Sequence, residues 1–307
     1  MRHELVSNSN DSPAPRVSVV VNVWGGDEPA SLKRSLSSIS SQRHRPDEVV
    51  VVVDGPISGE LEKEIQSFKN GASFLVKAIY IQSPKGLWNA RNVGIGEAEH
   101  EIVALHDADD VMHPERLQFQ TKAIVENGLD VLGSPVYEFD SVQERILGVR
   151  SLARNDQLTR KMIWQNVVNH SSVTLRKSVV TGVGGYRNIH LAEDYDLWLR
   201  LIFTGKSVGC TEEILQAFSV DSNLSKRRGG AKFISSEFAL HRLIRSKSSV
   251  NVFALWVRLI SRLAFRLSPR IIRKAHRVRF QVIKSPEYEP NLFEFANNPP
   301  RRIIRVS

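Results

Sequence analysis

Four short β-branched runs, each followed by a helical pattern, constrain this chain more than any other feature. Val17–Val23 (VSVVVNV), Glu48–Val53, Phe74–Ile81 and Glu101–Leu105 are apolar on both faces, as strands are when helices cover a sheet from both sides. Between them, Ser31–Ser41 places Leu32, Leu36 and Ile39 on one helical face, and Gly59–Phe68 does the same with Leu61, Ile65 and Phe68; Asn89–Ala98 is a shorter helix. The order β-α-β-α-β-α-β predicts a Rossmann-like, doubly wound α/β domain with a mainly parallel sheet. Such sheets bind ligands beyond the carboxyl ends of their strands, near the switch in strand order. Three segments rich in functional groups fall there: Asn22–Asp27, Asp54-Gly55-Pro56 and His106–Asp110.

The pattern then becomes mixed. Pro114–Glu126 is expected to be a helix with proline in its first turn. Val131–Phe139, Ile146–Val149 and Ser171–Leu175 are expected strands. Asp156–Asn166 reads as a helix capped by Asp156, and Glu193–Phe203 as a helix carrying Leu197, Trp198, Leu201 and Ile202. With 41% hydrophobic and 24% charged residues over 307 positions, the chain is globular rather than disordered or fibrous. It divides into a polar leader (1–15), an α/β domain (16–225) and a C-terminal extension (226–307). The leader lacks the apolar run of a signal peptide, so the domain is expected in the cytoplasm. A single cysteine, Cys210, excludes an internal disulfide and reads as a small buried hydrophobe.

Asp107-Ala108-Asp109 follows a buried strand directly. On extended chain, carboxylates at i and i+2 point the same way, so both can face one cation. Such oxygen ligands suit Mn²⁺ or Mg²⁺, which keep open positions for phosphate oxygens. Asp110 adds charge beside them. There is no Gly-x-x-x-x-Gly-Lys-Ser/Thr and no Gly-x-Gly-x-x-Gly after the first strand, where Trp24-Gly25-Gly26-Asp27 stands instead. This argues against a P-loop protein and a dinucleotide dehydrogenase. Gly94-x-Gly96 lies late in a helix and carries no binding signal.

The succession VSVVVNVW, PDEVVVVVDGP, KGLWNARNVGIGEA, VALHDADDVMHPERLQFQ, GGYR and AEDYDLWLRL resembles bacterial family-2 glycosyltransferases of the GT-A fold, over about residues 16 to 220. It is most similar to the branch that builds exopolysaccharides and O-antigens. The resemblance implies a nucleotide-sugar donor, with a UDP-sugar favoured, and a saccharide or lipid-linked acceptor. It implies that Asp54 binds the base and that Asn22, Val23 and Trp24 line the base and ribose. Tyr usually stands at the position of Trp24, so the choice of base is open. Arg91 falls where the family places a cation near the diphosphate, with Lys85 as a second. Asp109 is the implied metal ligand, and Asp107 reaches the metal's hydration shell or the ribose. Asp194 matches the general base. An inverting transfer needs such a carboxylate to take the acceptor proton on the face opposite the leaving diphosphate. Glu193, His170 and Trp198 fall on the acceptor or sugar side. For His170 a structural role stands beside that one, and for Trp198 a place in the core. Gly184-Gly185-Tyr186 reads as a tight turn.

The charge is uneven. Residues 226–307 hold 19 Lys+Arg and 4 Asp+Glu, a net of +15 within a total of +9, which leaves −6 for residues 1–225. In Val252–Leu267, Arg258, Arg262 and Arg266 recur every four residues among Phe253, Leu255, Trp256, Leu259, Ile260 and Leu263. Arginines at that spacing forbid a membrane span. They fit an amphipathic helix on an anionic membrane surface, and packing against the domain is the alternative. Pro269 ends the helix, and Arg270, Arg273, Lys274, Arg277 and Arg279 follow. No base-reading motif accompanies the charge, so nucleic acid is not an expected partner. A sugar nucleotidyltransferase and a non-catalytic nucleotide-sugar-binding membrane scaffold are the competing readings. The first would need a basic Gly-rich loop after the first strand; the second would not need Asp194.

Overall fold

The computed structural model describes residues 15–150, 155–220, 232–267 and 291–300. The first fourteen residues of the leader lie outside these, as do Pro269 and the five cations after it. In chain order the strands are β1 (Val17–Trp24), β2 (Glu48–Asp54), β3 (Leu75–Ile81), β4 (Ile102–Asp107), β5 (Val111–Met112), β6 (Val131–Gly133), β7 (Val136–Asp140), β8 (Arg145–Arg150), β9 (Thr174–Arg176), β10 (Val208–Cys210) and β11 (Gln216–Val220). The helices are α1 (Pro29–Ser40), α2 (Gly59–Gly71), α3 (Leu87–Glu97), α4 (Arg116–Glu126), α5 (Asn155–Trp164), α6 (Lys177–Gly182), α7 (Glu193–Phe203), α8 (Lys232–Lys247), α9 (Val252–Leu267) and α10 (Leu292–Asn297).

The main sheet has seven strands in the order β10-β6-β9-β4-β1-β2-β3. All neighbours are parallel except those of β9, which runs antiparallel to both β4 and β6. The chain proceeds outward from β1 through β2 to β3, then returns to place β4 on the other side of β1. The switch point therefore lies between β1 and β4, with Asn22 opposite Asp107 in register. This is the predicted doubly wound arrangement.

Alternation along β1 builds the two cores. Val17, Val19, Val21 and Val23 face Leu32, Leu36 and Ile39 of α1, Leu61 and Ile65 of α2, and Leu117 and Ile124 of α4. Val20 faces the other way, with Val50, Val52, Val103 and Leu105, onto α3, α7, α8 and α9. Successive side chains of a strand point to opposite faces, so one valine-rich run serves both layers.

Helix α3 sits very close to the sheet, and Gly94 permits it. A Cβ there would collide with Val20 and lie 3.1 Å from Val52 Cγ2, whereas one at Gly96 would meet nothing within 4 Å. The Gly94-x-Gly96 pair, silent as a binding motif, thus contains one packing residue. Gly94→Val is expected to lower stability by about 1–3 kcal/mol through overpacking. Gly96→Ala should be neutral or stabilising by up to about 1 kcal/mol. Urea unfolding of the two variants checks the contrast; equal effects would refute it.

Several boundaries differ from expectation. The run Val131–Phe139 is broken at Ser134-Pro135: β6 belongs to the main sheet and β7 to a second sheet, ordered β5-β11-β7-β8. Proline cannot donate to a strand ladder, so the chain changes sheets there. The expected strand Ser171–Leu175 begins as a 3-10 turn, His170–Ser172, and the strand is β9. Helix α5 already includes Asp156, so that residue does not cap it.

Helices α8 and α9 form an antiparallel pair against α7. Leu240, Ile244 and Leu255 join the same hydrophobic cluster as Leu197, Trp198 and Leu201. Among the described residues no helix is long and apolar enough to cross a membrane. On α9, Arg258 and Arg262 turn inward. Arg258 is 2% exposed; its Nε donates to the Ile163 carbonyl at 2.8 Å and its Nη2 to the Tyr195 hydroxyl at 3.2 Å. Arg262 pairs with buried Glu237 at 2.8 Å.

Candidate functional site

The carboxyl ends of β1, β2 and β4 converge on one place. Register sets Trp24 opposite Asp54 and Asn22 opposite Asp107. Asn22 Oδ1 and Asp54 Oδ1 are buried there without a protein partner. Burial raises the Asp54 carboxyl above its usual range. Trp24 is 53% exposed, its ring folded back over Gly26. Val23 is a correction: its side chain is buried in the core between the sheet and α1, so only its backbone reaches the site. Lys85 is exposed in the loop from β3 to α3, whose Pro84 packs on Gly55 at the end of β2.

The acidic segment is a turn rather than extended chain. Asp107 ends β4, and the Asp110 N–H closes the turn by donating to the Asp107 carbonyl at 3.2 Å. Asp107 and Asp109 are half-buried, while Asp110 is fully buried. Both outward carboxylates act on Asp27, whose carboxyl is pushed up to about 7 by burial and then by the charges of Asp109 and Asp107. Asp27 has no signature in the sequence pattern; it caps the β1 turn by accepting from the Trp24 N–H at 2.9 Å. Asp27, Asp107 and Asp109 thus feel one another's charge. Among the described residues no group of three or more His, Cys, Asp or Glu is arranged to hold a metal ion. Asp107 and Asp109 are hard oxygen donors of the kind that Mn²⁺ or Mg²⁺ takes one or two at a time.

A buried network fixes the acidic turn from below. Arg116 is fully buried. It donates from Nη2 to the carbonyls of Leu105 (2.9 Å) and Val173 (3.1 Å), from Nη1 to Gln216 Oε1 (2.7 Å), and from Nε to Gln120 Oε1 (3.0 Å). Arginine only donates, so Gln216 must turn its amide nitrogen to His106 Nδ1, 3.1 Å away. His106 Nδ1 therefore accepts, and its Nε2–H faces Ser35 Oγ at 3.0 Å; the Ser35 hydroxyl in turn donates to the Asp107 carbonyl at 3.1 Å. Burial, with the Arg116 charge, pulls the His106 pKa down to about 3, so this imidazole is neutral. Burial pulls the Arg116 pKa down to about 9, which leaves it charged at neutral pH. Asp110 accepts from the Ser219 N–H at 2.9 Å, and burial, then Asp109 and Asp107, raise its carboxyl well above the usual range. His106 and Asp110, to which the sequence assigns no role, are thus structural supports.

Arg91 is the positive centre of the other wall. It is buried, its Nε has no protein partner, and its guanidinium stands 5.5 Å over the Tyr186 ring. The Tyr186 hydroxyl shares a 3.0 Å hydrogen bond with His170 Nε2, and His170 Nδ1 lies 3.7 Å from Asp107 Oδ1. Burial works against charge on Asp107, but His170 and Arg91 outweigh it and hold its carboxyl below the usual range. Burial and Arg91 lower the His170 pKa, against the opposing pull of Asp107 and Asp194. Tyr186 arrives on the predicted turn: Gly184 and Gly185 have φ of 81° and 67°, values that favour glycine. Asn92, next to Arg91, clamps it by accepting from the Tyr186 N–H and donating to the Tyr186 carbonyl, each at 2.8 Å.

Asp194 opens α7, half-buried. Asn166 Nδ2 donates to its Oδ2 at 2.9 Å and the Tyr195 N–H to its Oδ1 at 2.7 Å. The same His170 and Tyr186 that feel the charge of Asp107 also feel that of Asp194, so the acidic turn and the helix end face a common space. Asp196 points away; it pairs with Arg187 and Arg200, and Arg200 ties α7 to the turn through the Val183 (2.6 Å) and Gly185 (2.5 Å) carbonyls. Buried Glu193 turns back to accept from the Leu191 N–H at 3.3 Å. Trp198 is completely buried, its ring 6.4 Å from that of His170. It is core beneath the site, which corrects its placement on the acceptor side.

Residues 18–181 match the family model described as Glycosyl transferase family 2. The amylovoran biosynthesis glycosyltransferase AmsE of Erwinia amylovora is 32% identical over 229 residues, which are 74% of this chain and 84% of that protein. The UDP-Gal:alpha-D-GlcNAc-diphosphoundecaprenol beta-1,3-galactosyltransferase of Escherichia coli is 27% identical over 84% of this chain and 94% of its own. Among solved structures, S. aureus TarS 1-349 in complex with UDP-GlcNAc superposes with a TM-score of 0.62 at 16% identity, covering 82% of this chain and 72% of that one. At that identity the likeness establishes the GT-A fold.

Proposed function

Because the chain belongs to glycosyl transferase family 2, we propose that it is an inverting, metal-dependent transferase moving a hexose from a nucleotide-diphosphate sugar, a UDP-sugar first, to a saccharide on a lipid-linked acceptor at the cytoplasmic face of a membrane. One observation carries this reading. Asp107 and Asp194 both act electrostatically on the His170–Tyr186 pair beside Arg91, which supports a donor-binding acid and a separate base at one site. The donor class is supported by the UDP-Gal of the E. coli relative and the UDP-GlcNAc of the TarS complex, and the lipid-linked acceptor by the diphosphoundecaprenol of the former.

In this reading Asp54 and Asn22 take the base and ribose with their unpartnered oxygens, and Trp24 stacks on the base. Asp109 and Asp107 would hold Mn²⁺ or Mg²⁺, which would neutralise charge on the leaving diphosphate. Arg91 adds a fixed positive charge on the same side. The acceptor oxygen forms its bond to the anomeric carbon as the bond from that carbon to the diphosphate breaks. The acceptor proton passes to Asp194, and the electron pair leaves with the nucleoside diphosphate. His170 and Tyr186 line the space between.

Thermal unfolding with UDP-, GDP- and dTDP-sugars tests the donor. With Mn²⁺ and a UDP-sugar at a hundred times Kd, stabilisation of about 2.7 kcal/mol is expected, and EDTA should abolish both this shift and sugar transfer. A chain that no nucleotide sugar stabilises, or that transfers sugar undiminished in EDTA, contradicts the proposal.

A further inference from the structure

Helix α9 leaves an apolar ridge uncovered. Phe253, Trp256, Val257 and Ile260 recur at three- and four-residue spacing and share one face. All are exposed, Phe253 to 77% and Ile260 to 63%. The opposite face buries Leu255, Arg258 and Leu259, with Arg258 on the Ile163 carbonyl and Arg262 on Glu237. The helix thus turns polar groups inward and shows aromatic and aliphatic groups outward, the reverse of a water-facing helix.

The surroundings of the ridge are cationic. Arg242, Arg245 and Lys247 stand exposed on α8, which runs alongside with His241 against the Trp256 ring at 5.0 Å. Between Glu237 and Glu287 the sequence has no Asp or Glu; among the described residues of that stretch, Arg258 and Arg262 are the inward pair and these three of α8 are the exposed cations. Apolar side chains including tryptophan, rimmed by cations, match the headgroup boundary of an anionic bilayer. A second protein copy would meet the same positive rim and be repelled by it.

We propose that α9 docks the enzyme on an anionic lipid bilayer through Phe253, Trp256, Val257 and Ile260. This deepens the reading of a lipid-linked acceptor and rests on it for its purpose. Ile163, which receives Arg258, is three residues from Asn166, which holds Asp194, so docking fixes the base relative to the lipid surface.

Vesicle binding by the full chain, measured without any substrate, tests the surface independently of the transferase reading. The wild type is expected to sediment with phosphatidylglycerol-containing vesicles and not with pure phosphatidylcholine. Replacing both residues, Trp256→Ser and Ile260→Ser, should weaken binding at least tenfold while thermal unfolding remains cooperative. The milder Trp256→Phe should keep binding but lose the fluorescence quenching by brominated lipid that the wild type shows. Undiminished binding by the double variant, or by wild type to neutral vesicles, overturns the proposal. So does a wild-type dimer that the double substitution dissolves. A Trp256 that acrylamide cannot reach in the lipid-free monomer also overturns it, since the chain's own segment then covers the ridge.

Discussion

Asp194→Asn is expected to lower the turnover of sugar transfer by about 10²–10⁴-fold, the usual contribution of a positioned acid or base, while the affinity for UDP with Mn²⁺ stays at the wild-type value. The substitution keeps the shape of the side chain and can still accept from the Tyr195 N–H, one of the two bonds that hold it. What it removes is the capacity to take a proton. Asp194 belongs to the start of α7, whereas Asp107 and Asp109 belong to the turn after β4, so donor binding should not depend on it. Steady-state kinetics together with calorimetric titration of UDP separate these effects. Wild-type turnover in the variant would remove Asp194 from the mechanism. Loss of UDP binding would reassign it to the donor pocket.

Arg116→Met should cost about 3–5 kcal/mol of stability, the range for breaking a buried, hydrogen-bonded charge. Methionine fills much of the volume but leaves Gln216 Oε1 and the Leu105 carbonyl without their donor. It also strips buried Asp110 and half-buried Asp107 of the positive charge acting on them. Arg116→Lys should recover little, because an ammonium cannot reproduce a planar fork reaching two carbonyls and two amides. Urea denaturation measures both variants. The sign with pH follows from the lowered folded pKa of about 9. Keeping this group charged in the interior opposes folding at neutral pH, and that opposition lifts only as pH rises above about 9. Its burial must therefore be offset by those four acceptors and by the acidic turn. An Arg116→Met variant as stable as wild type would show that the network under the turn is dispensable.

The legibility of the molecule in its sequence follows sequence distance. β1 to β4 announce themselves because each is a local run of β-branched residues, and the helices between them by their spacing. The acidic turn and Asp194 are legible because each is a few adjacent residues. Partners far apart along the chain are not. Asn166 meets Asp194 across 28 positions, Asn92 meets Tyr186 across 94, and Gln216 meets His106 across 110. No local pattern encodes such pairs. The second sheet is hidden for a related reason: β5 has two residues, too few for an alternation, and only Pro135 marks where the chain leaves the main sheet. Val23 and Trp198 show the opposite limit. Their positions are adjacent to functional residues, but strand alternation and helix packing turn both side chains into the core. On α9 the spacing identifies an amphipathic helix yet not which face packs, because an arginine can be buried when carbonyls and a carboxylate await it.

The inward arginine of α9 bears on how such a chain can change over time. Arg258 reaches the hydroxyl of Tyr195, the residue after Asp194, and that hydroxyl also donates to the Met162 carbonyl at 2.7 Å. The C-terminal helices are therefore stitched to the neighbour of Asp194. They cannot be exchanged between relatives as an interchangeable cassette without reopening the N-terminal end of α7. Drift in the tail and drift around Asp194 are coupled, and a lineage that alters one must re-fit the other.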